Sequence, residues 1–236
     1  MKAEGRNAVL ELLKTEKTVD KILLQKDAQG VLLKIFAEAR RRGIRVQFVS
    51  REVLDRESAD KRHQGVIAYT TDYEYADIGD MIGKEESLIV LCDGIEDVHN
   101  LGSILRVAEC AGADGVVIPK AKSAVVTEAV IRISAGAAEH IKVAKVSSVN
   151  SAVEYLKEHG YWVYALEAGG DSIYSERLTG KVALVVGGED SGVRRLTREK
   201  CDKVLSLPLF GKVNSLNASV ALGIAVYEVV RARLGT

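Results

Sequence analysis

Cysteine is scarce in this chain: Cys92, Cys110 and Cys201 are widely spaced, odd in number and without a C-x-x-C pair. That spacing excludes a disulfide framework and a zinc knuckle, and it fits a reducing cytoplasm. The four histidines, His63, His99, His140 and His159, form no H-x-x-x-H or H-E-x-x-H arrangement, so no metal site is expected. No apolar run approaches the ~18 residues of a membrane span, and the first residues lack the apolar core of a signal peptide. A soluble, cytoplasmic protein without membrane contact is the expectation. Also missing are G-x-S-x-G, an early G-x-G-x-x-G, a G-K-[ST] phosphate loop, internal repeats and low-complexity segments. Net charge is zero, although residues 1–75 carry fifteen Lys and Arg against twelve Asp and Glu, a net of +3. This mild excess permits a face for nucleic acid without requiring one.

What is present is ordinary globular composition, 47% hydrophobic and 28% charged, over 236 residues, enough for one large or two modest domains. Residues 5–15, 29–42 and 50–57 read as helices; "VDKILLQ" (19–25), "IRVQFVS" (44–50) and "GVIAYTT" (65–71) read as short strands. Together they make a small α/β unit over 1–75. The stretch 76–87 loses the apolar rhythm and reads as a linker. From 88 to 236 six apolar strands recur between helical stretches: 88–92, 115–119, 141–146, 162–167, 182–187 and 204–208. Near-continuous apolar strands alternating with helices predict a parallel sheet covered on both faces, a doubly wound α/β domain with ligands beyond the strand ends.

Three loops at those strand ends carry unusual polar residues. In "DGIEDVHNLGSILRVAECAG" (93–112), Asn100 reads as a helix N-cap, and Asn100, Ser103 and Arg106 draw one polar line along an otherwise apolar helix. In "VVGGEDSGV" (185–193), glycines would let a ligand approach the backbone, or Asp190 or Ser191 would cap a following helix; Glu189 has no such explanation. In "GKVNSLNASVA" (211–221), Ser215 reads as the cap of the last helix, which leaves Asn217 in its first turn unexplained. Ala218, Ala221, Leu222 and Ala225 then give that helix a small-residue face for close packing. Arg40, Arg41, Arg42 and Arg45, with Lys61 and Arg62, read either as a solvated helix end stabilised by the dipole or as an RNA-contacting patch.

Taken in order, "NLGSILRVAECAG" (100–112), "VVGGEDSGV" and "LPLFGKVNSLNASVA" (207–221) resemble the three motifs of the SpoU, or TrmH-like, RNA ribose 2′-O-methyltransferases of the SPOUT superfamily. "EGRNAVLELLK" (4–14) and "HQGVIAY" (63–69) are similar to the L30e-like substrate-binding domain that precedes the catalytic domain in the family's rRNA guanosine methyltransferases. The resemblance implies an L30e-like α/β domain followed by a SPOUT α/β domain with a C-terminal trefoil knot, a departure from the rule that chains do not thread loops. It implies S-adenosylmethionine (SAM) as cofactor, a homodimer that shares its active site, and RNA as partner, with a guanosine of 23S rRNA as target. A tRNA guanosine or an rRNA adenosine are the nearby alternatives.

Carried onto this chain, Gly187, Leu207 and Leu216 would contact the cofactor, and Asn100, Arg106, Glu189, Ser215 and Asn217 would form the catalytic set. Guanidinium groups are not readily deprotonated in proteins, so Arg106 is expected to stabilise developing charge on a ribose oxygen rather than act as base. The chain departs from the family pattern at Val98, Gly188 and Leu209, where Pro, Ser and Met are frequent. Two rival classes are a non-catalytic RNA-binding or ribosome-assembly module on the same fold, distinguished by failure to bind SAM, and a nucleotide-dependent oxidoreductase, distinguished by NAD(H) binding.

Overall fold

A computed structural model describes residues 2–15, 17–58, 60–71, 73–83, 85–188 and 192–235. The chain divides into two compact units, Met1–Glu74 with Val125–Glu128, and Tyr75–Ala124 with Ala129–Thr236.

The first unit runs β1 (Lys2–Glu4), α1 (Arg6–Leu12), β2 (Thr18–Gln25), α2 (Val31–Arg41), β3 (Arg45–Val49), α3 (Arg51–Glu57) and β4 (Val66–Thr71). Its sheet has the order β1-β4-β2-β3, with β2 and β3 parallel and both pairings of β4 antiparallel. Successive side chains of a strand alternate between faces. Hence Ile22, Leu24, Val66 and Ala68 meet Val9, Leu32, Ile35 and Ala39 on one side, while Leu23 and Ile67 meet Leu54 on the other. Sequence periodicity missed β1, because three residues are too few to show alternation. The turn into β4 is fixed by buried His63, whose Nδ1 accepts from Gly65 N at 3.0 Å while Nε2 lies 2.9 Å from Asp55 Oδ1. That pairing assigns the ring proton to Nε2 and holds the Asp55 carboxyl below its ordinary range.

The second unit contains β5 (Ser87–Asp93), α4 (Val98–Cys110), β6 (Gly115–Pro119), α5 (Glu128–Ile133), β7 (Lys142–Val146), α6 (Val149–Glu158), β8 (Trp162–Ser172), β9 (Lys181–Gly187), α7 (Arg195–Lys200), β10 (Lys203–Ser206) and α8 (Ala218–Leu234). The six strands form one parallel sheet in the order β10-β8-β9-β5-β6-β7. Every residue of β5 and β6 is buried, which is why those strands read as unbroken apolar runs. Ile89, Leu91, Val117, Val163, Ala183 and Val185 pack with Val149, Val153 and Leu156 of α6 on one face. Helix α8 packs against α4 and β9. No helix among the described residues is long and apolar enough to cross a membrane.

The stretch expected to be a linker belongs in part to this second unit. Ala76 pairs with Ala144, and Met81 is buried in the same core as α6. Its weak apolar rhythm has a physical source: the segment packs through an isolated bridge and the short 3-10 turn Ile78–Met81, neither of which imposes a sequence period.

The strand order matters for function because β9, late in the sequence, lies directly beside β5, the first strand of its sheet. Asp93 and Gly187, the last residues of each, are register partners. After edge strand β10 the chain returns over residues 207–217 to the start of α4. That crosses three strand spacings, roughly 14 Å, and brings the last helix to the sheet's reversal point, where ligands of such sheets collect.

Candidate active site

Two amides join the first and third loops. Asn217 Nδ2 donates to Asn100 Oδ1 at 2.8 Å, linking the start of α8 to the first turn of α4 across 117 residues. The same Asn217 side chain caps α8: its Oδ1 accepts from Ser219 N at 3.0 Å, Val220 N at 3.3 Å and Ser219 Oγ at 2.6 Å. One planar amide thereby satisfies orphan donors at a helix start and ties that start to a second helix.

Two capping assignments made from sequence are corrected. Asp97, not Asn100, caps α4, its Oδ1 accepting from Asn100 N at 2.9 Å, while the Asn100 side chain meets Asn217. Asn217, not Ser215, caps α8; Ser215 is exposed two residues before the cap, and its single hydroxyl could not make both sets of bonds that the amide makes. After "VVGGEDSGV" the next helix, α7, starts at Arg195, with Arg194 in the cap position and no side-chain cap; the other cap candidates, Asp190 and Ser191, lie outside the described residues.

The glycine-rich turn is closed by its own backbone. Gly188 and Gly192 form an antiparallel bridge, with Gly192 N donating to Gly188 O at 2.9 Å. A Cβ on Gly187 would fall 1.9 Å from the Gly192 carbonyl carbon, so the approach is open to glycine alone. Glu189, Asp190 and Ser191 lie outside the described residues, and with them the expected catalytic carboxylate.

Asp93 was not singled out by the sequence reading, yet it holds both ends of that turn. Its backbone oxygen accepts from Gly188 N at 3.3 Å, and its buried carboxylate accepts from Arg194 N and Arg194 Nη1, each at 2.9 Å. An acidic residue closing a fully apolar strand was the available signal, since a buried carboxylate needs a partner. Beside it, burial and the Asp93 charge push the Cys92 thiol up to about 12, so this cysteine is a packing residue and not a nucleophile.

The remaining candidates occupy the rim. Arg106 is exposed six residues beyond Asn100, roughly 9 Å along the α4 axis, and among the described residues its guanidinium has no hydrogen bond or ion pair. It does not touch Asn100, Asn217 or Ser215 within the chain. Leu207 follows β10 half-buried, and Leu216 is exposed immediately before Asn217. The structure thus brings Asn100, Asn217 and the Gly187 turn to neighbouring strand ends, and leaves Arg106 and Ser215 facing outward.

With this geometry in place, comparison with known proteins is decisive. The SpoU rRNA Methylase family is matched over residues 87–227, and the RNA 2′-O ribose methyltransferase substrate-binding family over 2–76. The chain belongs to the SpoU rRNA methylase family. A TrmH family tRNA/rRNA methyltransferase of Staphylococcus saprophyticus is 42% identical over 97% of this chain and 94% of its own length. The YacO relative of Bacillus subtilis is 40% identical over the same shares. Among solved structures, the SpoU methyltransferase AviRb of Streptomyces viridochromogenes, in complex with AdoMet, matches with a TM-score of 0.66 over 100% of this chain and 91% of that one, at 21% identity. The A. aeolicus TrmH/SpoU tRNA modifying enzyme covers 66% of this chain and 79% of its own, with TM-score 0.58 and 27% identity. The SpoU fold expected from the three loops is therefore the fold observed, a parallel α/β domain that follows a substrate-binding domain in the sequence.

Proposed function

We propose that this protein transfers a methyl group from SAM to a ribose 2′-hydroxyl of RNA, with a guanosine of 23S rRNA as target. The observation that carries the reading is the Asn100–Asn217 bond, which joins the first and third motifs, on the side of the sheet where β5 and β9 end together and the second motif begins.

The residues fit SAM. The Gly187–Gly192 approach, closed to any Cβ, leaves main-chain groups as lining, and Leu207 and Leu216 offer apolar surface for an adenosine beside them. When bound, the cofactor supplies an electrophilic methyl carbon on a sulfonium. The chain's own task is to orient the hydroxyl and to stabilise negative charge as it develops on oxygen, the proton leaving to phosphate or water. Arg106, exposed and without an acidic partner among the described residues, is suited to that charge. In this reading Asn100 and Asn217 would fix the wall on which it acts, Ser215 would bond substrate, and Glu189 would hold Arg106 or an amide in position. Family membership supports the catalytic reading over a non-catalytic RNA-binding module.

Because Arg106 is exposed and makes no hydrogen bond to the paired amides, completion of the site by a second copy is part of this reading. Val220, Ile224 and Tyr227 form an exposed apolar stripe at helical spacing on α8, and Phe210 and Val213 before it are 95% and 73% exposed, a surface that supports a homodimer. The trefoil knot belongs to the same proposal, with residues 207–217 as the segment that would be threaded. Mapping 2′-O-methylation in rRNA from cells with and without the protein tests the target; loss of one 23S guanosine methyl is expected. The tRNA/rRNA naming of the relatives favours tRNA as second reading, and a methyl lost from tRNA instead would select it.

A further inference from the structure

The first unit carries an aromatic pair, Phe48 exposed and Phe36 partly buried against the core, that neither the capping logic nor the catalytic motifs use. Phe36 on α2 and Phe48 on β3 lie with ring centroids 5.2 Å apart and tilted by 58°. Arg40, one turn along α2, places its guanidinium carbon 5.7 Å from the Phe36 ring centre, and Leu33, one turn back, completes the row. Phe48 is 43% and Leu33 51% exposed, while β3 is the sheet's edge strand, so this apolar surface lies open to one side.

The charges of α2 around it are largely accounted for, apart from one cation. The carboxylate of α2's Glu38 is held by Arg41 in a two-point contact of 3.0 and 2.5 Å. Arg42 is spent differently, donating to Leu13 O at 2.7 Å at the end of α1. That leaves Arg40, over the Phe36 ring, with no acidic partner among the described residues. The basic run seen in the sequence therefore resolves into one structural arginine, one neutralised arginine, and one cation mounted over an aromatic ring.

An exposed aromatic ring, backed by a second ring that carries an unpaired guanidinium, suits a nucleobase stacked on the ring with its phosphate near that guanidinium. A second protein surface would match the apolar rings but not the cation standing over them. We infer that Phe48, Phe36 and Arg40 form a stacking platform for an unpaired base of the RNA substrate. The inference rests on the RNA-methyltransferase reading and adds where, and through which chemistry, single-stranded RNA is held.

The test measures binding of the full chain to an unstructured mixed-sequence RNA oligonucleotide and to a blunt RNA duplex of equal length. Phe48→Leu, which keeps apolar volume and removes the ring, should weaken oligonucleotide binding by about tenfold and leave duplex binding within about twofold. Phe48→Trp should bind at least as tightly as the native chain. The salt dependence of binding should be unchanged in Phe48→Leu, and its slope shallower by about 0.7 in Arg40→Gln. Unaltered oligonucleotide affinity in a folded Phe48→Leu protein, equal losses on both RNAs, or native binding no tighter to oligonucleotide than to duplex would each overturn the proposal. So would a change in sedimentation showing that the rings join two protein copies. Methyl transfer from labelled SAM to rRNA is assayed on the native chain separately: its absence defeats the enzymatic reading and leaves the stacking result standing on its own.

Discussion

Replacing Asn217 separates two jobs done by one side chain. In Asn217→Ala the α8 cap is lost, costing about 1 kcal/mol, together with the bond to Asn100 Oδ1, whose net worth is about another 1 kcal/mol. For a unit of this size each kcal/mol moves the melting temperature by about 2–4 °C, so a fall of about 4–8 °C is expected. Asn217→Ser restores a capping oxygen but cannot span to Asn100, and should recover about half of that loss. The cycle of Asn100→Ala, Asn217→Ala and the double variant isolates the cross-link: a coupling of about 1 kcal/mol is expected for partners at 2.8 Å. Thermal unfolding followed by circular dichroism reads stability, and methyl transfer read in parallel should stay low in Asn217→Ser, because the bridge between helices is still broken. Additive single losses, or a Ser variant with native activity, would refute the view that this amide pair holds the site together.

Arg106→Ala should lower methyl transfer about 10²- to 10³-fold while SAM affinity measured by calorimetry stays near native; retained turnover would remove Arg106 from the mechanism. Gly187→Ala drives a methyl into the Gly192 backbone, so loss of SAM binding with a stability cost of at least about 1–3 kcal/mol is expected by calorimetry and thermal melts. Iodoacetamide at pH 8 should modify exposed Cys110 and spare Cys92 and Cys201, whose thiols burial raises to about 12, as mass spectrometry of a digest would show. With folded values above the ordinary thiol value of 9.0, these two groups stabilise the fold fully below pH 9.0, and that contribution fades as pH rises toward 12.

Much of the architecture was legible from local pattern. Four of the six strands of the large sheet start and end within about one residue of the apolar runs that announced them, because a strand covered on both faces reads as an apolar run. β10 ends two residues early, and the eleven-residue β8 is the larger exception. It extends past its apolar core through Gly169 and Gly170 after a register shift opposite Val204, an irregularity that periodicity cannot encode. The three motifs were equally visible, since their glycines and amides interrupt otherwise apolar segments.

Caps were harder, because Asp97 and Asn100, or Ser215 and Asn217, are all competent cap residues and sequence alone ranks them nearly equally. What decided between them was a partner 117 residues away: Asn217 must cap α8 for its amide to reach Asn100. The same holds for Asp93 and Arg194, 101 residues apart, and for Phe36 beside Phe48, whose residue types gave no hint of a shared surface. Sequence by itself determined most of the strands and helices, because burial imposes its period locally, and singled out the three loops whose glycines and amides interrupt that period. Tertiary structure alone decided which polar groups meet, because that depends on the strand order β10-β8-β9-β5 and on the return of the chain from the sheet edge to its centre.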